Sequence, residues 1–86
     1  MPRISRFHGI VIYMYFREHE AAHFHAYHAE CAMGVRLSDG VWYGRFPPAA
    51  RRLVLSWYRH HREDLWQNWL RLRAGQPVRP IPPPEK

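Results

Sequence analysis

Alternation of apolar side chains dominates the first half of the chain. "HGIVIYMYF", His8 to Phe16, is β-branched and aromatic, and reads as a strand. Ile10, Ile12, Met14 and Phe16 share one face; Val11, Tyr13 and Tyr15 share the other. Both faces are largely apolar, so this strand is expected to be central or covered on both sides. "REHEAAH" is a connection. "FHAYHAECAMGVRL", Phe24 to Leu37, reads as a long second strand bent near Gly34. "SDG", Ser38 to Gly40, is turn chemistry, because Asp and Gly tolerate the left-handed backbone of a hairpin. "VWYGRF", Val41 to Phe46, is a short third strand. The links are too short for parallel crossovers, so the three strands form an antiparallel meander.

The period then changes. In "PPAARRLVLSWYRHHREDLWQNWLRLRAG", Leu53, Val54, Trp57, Tyr58, His61, Leu65, Trp69 and Leu72 recur at three and four residues, an apolar helical stripe. Pro47 and Pro48 suit a helix entry, where the missing N–H costs nothing. The segment is one long helix or two consecutive helices broken around His60–His61, with "EDLW" as a fresh first turn. Gly75 is a good C-terminal cap and Pro77 blocks continuation. The predicted fold is α+β: a three-stranded antiparallel meander followed by one or two helices packed on the sheet. Residues 1–75 form a single domain, and the proline-rich 76–86 an extended or disordered tail.

Charge adds the first functional hint. The 86 residues carry 13 Lys+Arg against 7 Asp+Glu, a net +6, and every cation except Lys86 is Arg. Arg pairs bidentately with phosphate and carboxylate, so RNA, DNA or an acidic protein is a compatible partner. An Arg-rich codon bias is the bland explanation. Cys31 is the only cysteine, which excludes an internal disulfide. The longest apolar run, "GIVIYMYF", is far short of the roughly 20 residues that span a bilayer. With no secretory leader pattern, a cytoplasmic location is expected and no membrane partner.

The histidines are the candidate chemistry. Five of seven fall in or beside "REHEAAHFHAYHAEC", Arg17 to Cys31. His23 and His25 are two apart on a strand, hence on one face and about 6.5–7 Å apart along the backbone. Two imidazoles at that spacing can meet one metal ion. His19, four residues upstream of His23, can curl back as a third ligand. The set matches an open site for a divalent transition metal, zinc first. Glu18 or Glu20 would make a supporting bond or act as base. His28 and Glu30 have the opposite parity to His25, and Cys31 lies about 20 Å along an unbroken strand. A metal-free alternative is phosphate binding or acid–base work by the same imidazoles; a merely structural His pair is the third option. On the helical stretch, Arg51, Arg52, Arg59 and Arg62 are candidate phosphate or partner contacts, although a solvated helix face explains them as well. Trp66 falls off the apolar stripe and is expected at the surface.

"MPRISRFHGIVIYMYFREHEAAHFHA" followed by "RLVLSWYRHHREDLWQNW" resembles the bacterial family catalogued as domain of unknown function 4160. The shared patterns are "MPxISxFxGIxIxMYFxxHxxxHFHA" and "RLVLxWxxxHRExLxxNW". The resemblance implies a small cytoplasmic bacterial protein with no established activity. It also implies a place in a toxin–antitoxin-like pair, with a small protein of family 2442 as cognate partner. His19, His23 and His25 match the family's three histidines, whereas Ala21 and Ala22 stand where it has two prolines. Two readings follow. One is a metal-binding or metal-dependent domain built on His19, His23 and His25. The other is a metal-free basic interaction module or ribonuclease-like toxin that meets RNA or an acidic protein partner.

Overall fold

The computed structural model describes residues 3–84. Five strands form one antiparallel sheet in the order β1-β2-β3-β4-β5, and two helices follow. The strands are β1 Arg3–Phe7, β2 Ile10–Tyr13, β3 His23–His28, β4 Cys31–Arg36 and β5 Trp42–Arg45; the helices are α1 Pro48–His60 and α2 Arg62–Arg73. The fold is therefore α+β with the helices on an antiparallel meander, but the sheet has five strands where three were expected.

Both extra strands come from two-residue hairpin turns. His8 and Gly9 have φ of 51° and 75° and reverse the chain between β1 and β2, so the expected first strand begins with a turn. Consecutive positive φ values match the right-handed twist of the flanking strands. The expected long second strand folds back at Ala29–Glu30. Ala29 has φ 53°, and His28 pairs with Cys31 across the turn. Gly34 is thus no bend; it sits inside β4, opposite His25 on one side and Tyr43 on the other.

The helices cover one face of the sheet. Ile10, Ile12, Phe24, Ala26, Met33 and Val35 point into that layer, and Val54, Trp57, Tyr58, Leu65 and Trp69 meet them. The Phe24 ring lies 5.7 Å from Trp57 and 6.1 Å from Tyr58. Every residue of the expected helical stripe is buried or half-buried. The helical segment is two helices, with His61 at φ −123° and ψ 27° between them. Its N–H still donates to the carbonyls of Trp57 and Tyr58 at 3.1 Å, while Glu63 and Asp64 supply negative charge to the start of α2. The opposite sheet face is not covered by the helices. The strand expected to be central or covered on both sides is flanked by β1 and β3, and Val11 and Tyr13 on this face are half-buried.

Among the described residues, the segment after α2 has no helix or strand, yet it is tied down. Asn68 is buried and donates to the Arg79 carbonyl at 2.9 Å while accepting from the Arg79 N–H at 2.8 Å. Ile81 N–H donates to Ile4 O at 2.8 Å, and the Trp57 indole N–H donates to Pro82 O at 2.9 Å. No helix among the described residues is long and apolar enough to cross a membrane.

Candidate functional site

Strand pairing fixes what the uncovered face displays, because residues directly opposite in a ladder share a face. His25 lies between Tyr13 and Gly34, Tyr27 between Val11 and Ala32, and His23 opposite Arg36. Arg3 is opposite Tyr13 and Arg6 opposite Val11. Tyr43 is opposite Gly34 and Arg45 opposite Ala32. The five strands contain four arginines and no aspartate or glutamate, and all four arginines fall on this face.

The rings stack along the sheet. Tyr15 and His25 have centroids 5.1 Å apart and planes 19° apart; His25 and Tyr27 follow at 6.3 Å and 18°. The Tyr15 and Tyr27 hydroxyls are 3.2 Å apart. That hydrogen bond, more than burial, pushes the Tyr27 phenol above its ordinary value. Burial of the His25 ring is the largest cause lowering its pKa. His23 and Arg17 lower it further, and Glu20 opposes them. His25 is thereby favoured as the neutral imidazole.

At one end of this row stands His23, its side chain 12% exposed and its ring 5.8 Å from Trp69 of α2. Its Nδ1–H donates to Ala21 O at 2.7 Å, so in the neutral ring Nε2 carries the free lone pair. Glu20 Oε1 is 3.8 Å from Nε2, too long for a hydrogen bond. Glu20, Ala21, His23, Arg36, Val41 and Tyr43 line a cavity of about 270 Å³. Arg36 is fixed within it by Asp39, Nε to Oδ1 at 3.0 Å and Nη2 to Oδ2 at 2.7 Å. Asp39 is held down to about 2, first by Arg36 and then by the Val41 N–H. Tyr43 lies across Gly34: a methyl group built on that glycine would run into Cζ, Oη and Cε1 of the ring.

The predicted residues are thus divided. His23 and His25 come together, with ring centroids 4.9 Å apart, and Glu20 approaches His23. His19, at φ 70°, and Glu18 are exposed in the turn before β3. Among the described residues, no three His, Cys, Asp or Glu side chains stand where they could hold one metal ion. Arg51 and Arg62 serve the fold. The Arg51 guanidinium is 4.6 Å from the Trp42 ring centre, and Arg62 lies over Tyr58 while donating to Ser38 O at 3.1 Å. Arg52 and Arg59 are exposed on α1, away from the uncovered sheet face. Trp66 is exposed, as its place off the stripe predicts. No motif marks the tyrosines and strand arginines of the open face. Their signal was alternation, Phe24 and Ala26 inward against His23, His25 and Tyr27 outward.

A family model described as a domain of unknown function (DUF4160) matches residues 9–70. The chain belongs to this family. The DUF4160 match runs from Gly9 in the first hairpin turn to Leu70 in α2, so it includes His19, His23 and His25 but neither β1 nor the anchored tail. No curated protein and no solved structure matches the chain.

Proposed function

We propose that this DUF4160 chain binds single-stranded RNA across the uncovered face of its sheet. The observation behind this reading is that the register sets Arg3, Arg6, Arg36 and Arg45 on the same sheet face as Tyr13, Tyr27, Tyr43 and His25, with no acidic residue in the strands. Unpaired bases stack on such rings for about 1–3 kcal/mol each, and arginines track the phosphates. This is the basic-module reading of the sequence, moved from the helix arginines to the sheet. In a toxin–antitoxin-like pair, an acidic cognate protein would compete with RNA for the same face.

Fluorescence anisotropy with a labelled oligouridine of about ten nucleotides tests it. Wild type is expected to bind at low salt. Arg6→Ala with Arg45→Ala should weaken binding at least about tenfold and reduce the salt slope by about 1.4, roughly 0.7 per lost phosphate contact. Arg52→Ala with Arg59→Ala should leave both within about twofold. Equal losses in the two double variants, or no binding by wild type, would refute the reading.

A second reading rests on the 4.9 Å His23–His25 pair and the free Nε2 of His23. A divalent transition metal, zinc first, would take both imidazoles, with Glu20 or His19 completing the set once the turn before β3 shifts. The donor types fit such an ion. Elemental analysis of untagged protein should then find about one metal per chain, lost in His23→Ala/His25→Ala. Wild type that loads added zinc no better than the double variant would end this reading.

A further inference from the structure

The geometry points to the cavity between Glu20, His23, Arg36 and Tyr43 as a pocket for a guanine base. This inference rests on the RNA reading and names the base that the face selects.

The cavity's volume, about 270 Å³, falls below the range of roughly 300–1,000 Å³ usual for drug-sized ligands, so it suits one ring system rather than an extended ligand. Its floor is Tyr43. That ring is 54% exposed and rests on Gly34, so its outer side is open to a stacking base. Glu20 stands in the cavity wall. Glu20 is not consumed by His23, since 3.8 Å leaves no hydrogen bond between them.

A carboxylate oxygen pair asks for two adjacent donors. Only guanine offers them on its Watson–Crick edge, at N1–H and the N2 amine. Adenine and cytosine set an acceptor beside their amino group, and uracil flanks its one N–H with two carbonyls. Each of those bases would turn an acceptor toward Glu20 and set two acceptors against each other. Arg36 supplies a donor. Asp39 engages its Nε and Nη2, and among the described residues its Nη1 makes no hydrogen bond, leaving it for a guanine oxygen. Because Asp39 already holds the guanidinium, little side-chain freedom is lost on binding. Unlike Asp39, which is spent on Arg36, the Glu20 carboxylate makes no hydrogen bond among the described residues, and beside a face whose strands carry only cations it weakens binding of any polyanion. As a base reader it is explained.

Three labelled strands test the pocket: oligouridine, the same strand with one central guanosine, and the same strand with one central inosine. Inosine lacks only the N2 amine. The guanosine strand is expected to bind about tenfold or more tighter than the other two, and Glu20→Gln should abolish that gap without weakening oligouridine. Equal binding of all three by wild type, or a gap that survives Glu20→Gln, overturns the pocket while leaving the RNA reading standing. Free guanosine monophosphate against inosine monophosphate, followed by the Tyr43 ring resonances, tests the pocket separately. If no strand binds, the RNA reading falls. A preference for the guanosine nucleotide then still upholds the pocket, and no preference overturns it.

Discussion

A chain ended at Gly75 is expected to lose most of its stability. The removed segment buries Ile81 to 4% exposure, worth about 2 kcal/mol. It also carries both partners of the buried Asn68 amide and the acceptor of the Trp57 indole N–H. Leaving a buried amide unpaired costs about 1–3 kcal/mol, and the indole bond contributes about 1. The sum, about 4–6 kcal/mol, rivals the whole stability of a domain this small, at roughly 0.05–0.15 kcal/mol per residue. Urea unfolding followed by tryptophan fluorescence should show a transition shifted by more than half its midpoint, or none. Ile81→Ala in the full chain should lose about 2 kcal/mol. A truncated chain that unfolds at the same urea concentration as the full one would show that the tail anchors nothing.

That anchoring was not legible from composition. "QPVRPIPPPEK" reads as extended because proline excludes helix and ladder, and its described residues, 76–84, have neither. What composition hides is that an extended segment still offers carbonyls and two apolar side chains, Val78 and Ile81. Asn68 was the clue: an amide at a helical position that faces the core needs partners, and Arg79 provides them through its backbone. The helical stripe was legible, since it depends on local period; the break at His61 was one of two options that the sequence left open. The β1–β2 and β3–β4 hairpins were not legible, whereas Ser38–Gly40 announced the turn between β4 and β5. Ala29 takes φ 53° with no Gly, Asn or Asp to announce it, and at His8–Gly9 only the glycine signals a turn.

The site divides along the same line. Period two alone puts His23 and His25 on one face, and their rings are indeed 4.9 Å apart. Whether His19 joins them depends on the path of a loop, which no periodicity specifies. Which sheet face stays open depends on the helices. Phe24 and Ala26 already alternated with His23, His25 and Tyr27, so the polarity was written in β3. The contacts of Gly34 required the register between β4 and β5; the sequence marked the turn at Ser38–Gly40 but not which residues pair across it.

Two glycines in these strands should respond oppositely to alanine. Gly44 has φ 105°, and a Cβ there would fall 2.5 Å from Ala32 O and 3.0 Å from Met33 Cα. Both obstacles are backbone of β4 and cannot turn aside. Gly44→Ala must therefore combine a strained φ with separation of β5 from β4, at a cost of about 2–4 kcal/mol. At Gly34 the obstacle is the far end of the Tyr43 ring, which is exposed and free to swing away. Gly34→Ala should cost less than about 1 kcal/mol. It removes the flat ring from the sheet, however, and with it one stacked base, so RNA affinity should fall about 5- to 100-fold. Thermal melts and anisotropy on the two variants separate the effects. A Gly34→Ala protein that binds RNA as wild type does would show that Tyr43 is not a platform, whatever its stability. A Gly44→Ala protein that melts with wild type would show that β5 is not held to β4 at this close approach.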